Sequence, residues 1–306
     1  EPPHPEGDRS DLTEFAEVPS GAVHETHGSP VCRLRRPETH KRPDSGRSAL
    51  CAASLPPYGL AMESVETGAA RHALARRLIA MIDLTDLSDS SSPADVERLC
   101  SRAMEHRVAA VCVWPEHVRR AGRQLDGSNV RIATVVNFPA GDDRAFDCSV
   151  IADRVIADGA DEVDLVLPYR AVRAGDHERA SAVLDAVRAV VPAERHLKVI
   201  LETGELGNSA LVGRAARLAI DHGADFVKTS TGKTSVSATP EAVTVMAHEV
   251  ASASRPIGIK PSGGIRTLDD AAALLHAVEA VLGVGWATPA SFRLGASSLL
   301  DALLAE

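Results

Sequence analysis

Two lysines occupy matching places in neighbouring segments. In Asp225-Phe-Val-Lys-Thr-Ser-Thr-Gly-Lys-Thr234, Lys228 stands where a short apolar run gives way to a Gly/Ser/Thr loop. Ile257-Gly-Ile-Lys-Pro-Ser-Gly-Gly-Ile265 repeats the plan with Lys260. A lysine is almost wholly protonated at neutral pH, and only its neutral amine attacks a carbonyl. A second ammonium nearby corrects this. Two like charges about 4 Å apart at an effective dielectric near 20 repel by roughly 4 kcal/mol, enough to move a pKa by about two to three units. Lys260 is placed to supply that repulsion, and Lys228 to form a Schiff base. The plain alternative is a pair of rim lysines with solvated heads.

Asp164 interrupts the apolar run Val163-Asp-Leu-Val-Leu167. A buried carboxylate needs a partner, and an ammonium or an ordered water would serve. Near Lys260 it could relay protons to and from a carbinolamine; otherwise it is a structural ion pair. Lys198 opens the run Leu197–Leu201 and is a weaker candidate, toward the far rim or mid-barrel. Gly263-Gly264 and Gly295-Ala-Ser-Ser298 are small-residue loops with hydroxyls, and a last helix is expected over Ser297–Leu304. Backbone N–H groups there, with Ser297 and Ser298, would bind a dianion, and Gly232 and Lys233 could close over it.

Some signals point nowhere. Gly232-Lys233-Thr234 resembles the end of a nucleotide-binding P-loop, but that motif needs glycine at 227, which is valine. Cys112, inside Val111-Cys-Val113, reads as a small buried hydrophobe that could line a pocket. The twelve histidines form no spaced metal pair, and a metal is not expected.

The elements that must position these groups follow a repeating plan. Short apolar runs cover Leu78–Ile82, Val108–Val113, Val130–Val136, Glu162–Leu167, Leu197–Leu201, Asp225–Val227, Ile257–Ile259 and Phe292–Leu294. Between them lie stretches with apolar residues three and four apart, such as Val96, Leu99 and Ala103, or Val150-Ile151 and Val155. A helix is expected over Glu66–Arg77. Ser92-Pro93 and Thr239-Pro240 mark helix starts, and Gly159, Gly223 and Gly283 fall at helix ends. Eight strand–helix repeats over about 240 residues predict a closed (β/α)₈ barrel of the TIM type. An open doubly wound sheet is the runner-up, but no Gly-x-Gly-x-x-Gly turn follows the first run. In a barrel, Asp83, Thr85, Cys112, Trp114, Asn137, Asp164, Glu202, Lys228, Lys260 and the loop from Gly295 would collect toward one rim.

Composition bounds the rest. Of 306 residues, 44 % are hydrophobic but only 3 % aromatic, favouring an interior of small branched side chains. A formal charge of −9 argues against nucleic acid or a membrane surface as partner. Five cysteines with no Cys-x-x-Cys suggest reduced thiols in the cytoplasm, and no apolar run is long enough to span a membrane. Residues 1–65 are proline-rich with scattered apolar positions and a loose basic run; they read as a disordered extension preceding a barrel domain over 66–306.

These stretches together resemble the deoxyribose-phosphate aldolases, class I aldolases that form a Schiff base in a (β/α)₈ barrel. The motifs are Ile82-Asp-Leu-Thr85, Val111-Cys-Val-Trp-Pro115, Glu162-Val-Asp164, Lys198-Val-Ile-Leu-Glu-Thr-Gly-Glu-Leu206, Phe226-Val-Lys-Thr-Ser-Thr-Gly-Lys233, Lys260-Pro-Ser-Gly-Gly-Ile-Arg266 and Arg293-Leu-Gly-Ala-Ser-Ser-Leu-Leu300. The resemblance implies Lys228 as Schiff-base lysine, Lys260 as the residue that depresses its pKa, and Asp164 as proton relay. It implies substrate-binding roles for Asp83, Cys112, Thr231, Gly232, Lys233, Gly263, Gly264, Gly295, Ser297 and Ser298. The implied reaction is reversible cleavage of 2-deoxy-D-ribose 5-phosphate to acetaldehyde and D-glyceraldehyde 3-phosphate, in deoxynucleoside breakdown, with no metal or organic cofactor needed. Its partners would be small phosphosugars and aldehydes, and a homo-oligomer is compatible with the sequence. The rim chemistry alone also allows another phosphosugar enzyme, or a non-catalytic barrel whose extension binds a partner.

Overall fold

A computed structural model describes residues 67–306; the extension expected over 1–65 lies outside the described residues. Eight parallel strands alternate with helices: β1 Ile82–Asp86, β2 Ala110–Val113, β3 Arg131–Val136, β4 Glu162–Val166, β5 His196–Ile200, β6 Phe226–Lys228, β7 Gly258–Lys260 and β8 Leu294–Ala296. Each strand pairs with the next, and β1 pairs with β8 through Ile82↔Leu294, Asp83↔Gly295 and Leu84↔Ala296. The seam between β7 and β8 is closed by the bridges Ile259↔Phe292 and Ser262↔Gly295. The expected barrel is therefore the observed one.

Helices begin where local chemistry directs. Ser92 caps α2 (Pro93–His106) in a reciprocal box with Asp95, with proline in the first turn. Thr239 caps α9 (Pro240–Ala251) by accepting the Ala242 N–H. Gly159, Gly223 and Gly283 follow helix ends at φ of 103°, 88° and 96°, the left-handed region open to glycine.

Three expectations need correction. Leu78 and Ile79 belong not to the first strand but to the end of α1 (Gly68–Ile79), and β1 starts at Ile82. The apolar run crosses a helix end and a strand start, and periodicity cannot divide it. The last helix starts at Leu299 rather than Ser297. In α4 (Ala145–Ala157) the buried stripe is Cys148, Ala152 and Val155, leaving Val150 and Ile151 exposed.

Alternation along each strand sorts the side chains. Leu84, Val111, Val163, Leu165, Val199, Val227 and Ile259 join one continuous apolar core with the inner faces of the helices. Burying each such branched side chain contributes about 1.5–3 kcal/mol. The residues between them face the barrel interior, and Asp83, Glu162, Asp164, Lys198, Lys228 and Lys260 among them are charged and buried. The small branched interior expected from composition thus lies outside the barrel wall, not inside it.

Candidate active site

Asp164 of β4 lies at the centre of that interior. Its Oδ1 accepts a hydrogen bond from Lys198 Nζ at 2.9 Å. Its Oδ2 accepts from Lys228 Nζ at 2.8 Å and from Lys260 Nζ at 2.7 Å. Strand register sets up this meeting: Asp164 pairs with Lys198 across β4–β5, and Lys228 with Lys260 across β6–β7. Below, Lys260 forms a second ion pair with Asp83 at 2.5 Å, and Asp83 Oδ1 accepts from Arg293 at 2.7 Å. Arg293 donates to Glu162 at 3.0 Å, and Glu162 pairs with Lys198, closing the circuit. Gly295 leaves room for this packing, since a Cβ there would lie 3.2 Å from Lys260 Cε and 2.5 Å from Ser262 Oγ. On the barrel floor, Gly258 gives way to the Phe226 ring, which a Cβ would overlap.

The network separates two otherwise similar lysines. Lys228 is held below the usual lysine value, first by burial and then by the Lys260 charge, against the opposing pull of Asp164. Burial also works to lower Lys260, but the carboxylates of Asp164 and Asp83 outweigh it and raise its pKa. Burial would raise Asp164, yet Lys198, Lys228 and Lys260 hold it well below the carboxylate range. The anticipated repulsion from Lys260 therefore acts on Lys228, but burial is the larger cause. The result is a buried amine that gives up its proton more easily than an ordinary lysine, beside a more firmly held ammonium and an ionised carboxylate. Such a trio can add an amine to a carbonyl and move the accompanying protons.

A cavity of about 360 Å³ opens above the network at the carboxyl ends of the strands. Thr231, Gly232, Lys233, Gly263, Gly264, Gly295, Ser297 and Ser298 all line it. Gly232, Gly263 and Gly264 have φ of 78°, 86° and 78°, turns open to glycine, and the Gly263 N–H donates to the Gly295 carbonyl at 3.4 Å, tying two of the loops together. Lys233 spans one side, donating to the Leu87 carbonyl at 2.9 Å. Lys228 does not line this cavity; it lies beneath it and is 3 % exposed. Asp83 sits in the ion network, while Cys112 packs with Leu87, Ala133 and Val135 under Trp114 and Phe138. Burial raises the Cys112 thiol, which keeps it protonated. Among the described residues no cluster of His, Cys, Asp or Glu is arranged to hold a metal.

Several participants escaped the sequence reading. Lys198, expected near the far rim or mid-barrel, lies mid-strand in β5 and bonds Asp164 directly. Glu162 and Arg293 were not singled out, although Glu162 stands two residues before Asp164 and must share its face. Arg266 lines the cavity as an additional cation. Glu202, named only as a rim residue, has φ 56° and holds the Thr231 hydroxyl at 2.6 Å and the Thr234 hydroxyl at 3.1 Å. It thereby fixes the loop after β6.

Comparison with known proteins gives a consistent result. Residues 77–305 match the model of the DeoC/LacD family of aldolases. The deoxyribose-phosphate aldolase of Agrobacterium fabrum is 44 % identical over 229 residues, covering 74 % of this chain and 88 % of that protein. A Coccidioides immitis structure assigned as a deoxyribose-phosphate aldolase superposes with a TM-score of 0.68 at 31 % identity, covering 76 % of this chain and 86 % of that one. A Toxoplasma gondii structure with the same assignment gives 0.71 at 26 % identity, covering 78 % and 96 %.

Proposed function

The chain belongs to the DeoC/LacD family of aldolases, and from that premise we propose that it cleaves 2-deoxy-D-ribose 5-phosphate reversibly to acetaldehyde and D-glyceraldehyde 3-phosphate. It is a class I aldolase, a carbon–carbon lyase. The observation that carries the mechanistic reading is that Lys228 and Lys260 share Asp164 Oδ2 while only Lys260 also meets Asp83, so that their proton affinities shift in opposite directions.

In this reading the neutral Lys228 amine attacks C1 of the open-chain sugar and forms a carbinolamine. The Lys260 ammonium, through Asp164 and water, protonates the departing hydroxyl, and loss of water leaves an iminium. A base takes the proton of the C3 hydroxyl, the C2–C3 bond breaks, and its electron pair enters the iminium to give an enamine. The new C3 carbonyl leaves as glyceraldehyde 3-phosphate. Protonation of the enamine at C2 and hydrolysis then release acetaldehyde and restore the free amine. Asp164 passes protons while its surrounding cations return it to the carboxylate form.

The substrate's phosphate would lie in the cavity above. Backbone N–H groups of the loops bearing Gly232, Gly263 and Gly264, the hydroxyls of Ser297 and Ser298, and the charges of Lys233 and Arg266 would hold the dianion. We assign the reaction to the cytoplasm, since Cys100, Cys112 and Cys148 are free and buried, and no described helix is long and apolar enough to cross a membrane.

The test is direct. Borohydride added with acetaldehyde should leave one reduced two-carbon adduct, on Lys228, and Lys228→Ala should neither trap acetaldehyde nor cleave deoxyribose 5-phosphate. An adduct on another lysine, or cleavage surviving in the variant, would overturn the assignment.

A further inference from the structure

The interior network extends well beyond Lys228, Lys260 and Asp164, and its charge count is odd. Lys198, Lys228, Lys260 and Arg293 supply four cations, and Asp83, Glu162 and Asp164 supply three carboxylates; none is more than 3 % exposed. Fully ionised, the cluster carries one uncompensated positive charge in a dry environment, where such a charge is strongly disfavoured. We propose that Lys198 and Glu162 act as positioning residues that set the proton affinity of Lys228, because the cluster reaches neutrality when one lysine is uncharged and Lys228 is the lysine with the fewest carboxylate partners. This rests on the reading of Lys228 as the nucleophile.

Geometry explains why Lys228 is the cation that yields. Arg293 cannot give up its proton in a protein. Lys198 meets three carboxylates, Asp164, Glu162 and Asp83, and Lys260 meets two, Asp164 and Asp83. Lys228 meets Asp164 alone. Its other neighbours add no compensating charge. Cys112 faces it from β2 as a protonated thiol, and β3 presents Ala133 and Val135. From the end of β5, Glu202 is occupied by Thr231 and Thr234 rather than by a lysine. Arg131 and His196 approach Glu162 from the amino-terminal rim, but the Arg131 side chain is 45 % exposed and solvent screens it. The odd charge therefore falls on the least compensated lysine, and the Lys198 cation is what makes the count odd. Lys198 does this from a site where it cannot itself reach the substrate cavity.

The prediction has a sign for each residue. Lys198→Met removes a cation, so the cluster is neutral with Lys228 protonated. Glu162→Gln removes an anion and increases the surplus. The readout is the pH at which borohydride trapping of acetaldehyde on Lys228 is half-maximal. We expect it to rise by about one unit or more in Lys198→Met and to fall by a similar amount in Glu162→Gln. It should return to within about half a unit of the wild-type value in the double variant, which removes the pair together. A purely structural role would weaken trapping in both single variants without shifting their pH profiles in opposite directions. Replacing a buried ion pair as a unit is commonly tolerated; if Lys198→Met fails to fold, Lys198→Gln, neutral but still able to hydrogen-bond Asp164, gives the same expected rise and tests the sign. A displaced profile in the double variant, or unshifted profiles in the single ones, would overturn the proposal. Absence of a Lys228 adduct in the wild-type protein would instead overturn the assignment of the nucleophile.

Discussion

β6 and β7 are near copies. Phe226-Val-Lys228 and Gly258-Ile-Lys260 pair in register, end in a buried lysine, and lead into loops of small residues. Yet the first lysine is pushed toward the free amine and the second toward a more stable ammonium. Nothing within either segment accounts for this. The difference comes from β1, whose Asp83 carboxylate meets Lys260 but does not contact Lys228. One carboxylate, more than 140 residues upstream, separates an amine suited to attack from an ammonium suited to donate a proton.

The comparison can be broken most completely by removing the reactive member. Lys228→Ala should lower the rate of deoxyribose 5-phosphate cleavage by about 10³-fold or more, as loss of a covalent nucleophile does. Asp164→Asn keeps the shape of the shared acceptor but removes its charge. Cleavage should fall by about 10²–10³-fold, with the loss in kcat rather than in KM.

Asp83→Asn sharpens the comparison by leaving Lys260 with a single carboxylate, as Lys228 has. Lys260 should then lose proton affinity, and mass spectrometry after borohydride reduction should find a fraction of adduct on it. Modification confined to Lys228 would show that position rather than charge decides between the two. A smaller effect is expected at the mouth. Ser298→Ala should raise KM for the phosphorylated sugar about tenfold or less while leaving kcat, and turnover of unphosphorylated deoxyribose, nearly unchanged.

Stability should carry the same electrostatic signature. Asp83, Glu162 and Asp164 all have folded-state pKa values below the usual carboxylate range. Their contribution is present above the unfolded values near 4 and is lost as pH falls through the lower folded values. The denaturation midpoint should therefore drop steeply on the acid side of about pH 4, and Glu162→Gln should flatten that drop.

The barrel was legible because its signals are local. Apolar runs of strand length, the caps at Ser92 and Thr239, and the glycines at 159, 223 and 283 each act within a few residues. The boundary at Leu78–Ile82 was not legible, since Leu78 and Ile79 are equally apolar at a helix end or a strand start. The cavity residues were also largely readable, because glycine and serine loops at successive strand ends converge in any closed barrel. Glu162 and Arg293 stayed hidden because their partners come from other strands, reached only when the barrel closes.

The sequence by itself determined the repeat of strands and helices, the strands that carry Lys228, Lys260 and Asp164, and the family these motifs belong to. Tertiary structure alone decided how charge is divided among them. Side-chain type and strand order depend on neighbours along the chain, whereas proton affinity depends on which charges lie within a few ångströms in a medium that screens them poorly. Only closure of the barrel brings Asp83, Lys198 and Arg293 to that distance.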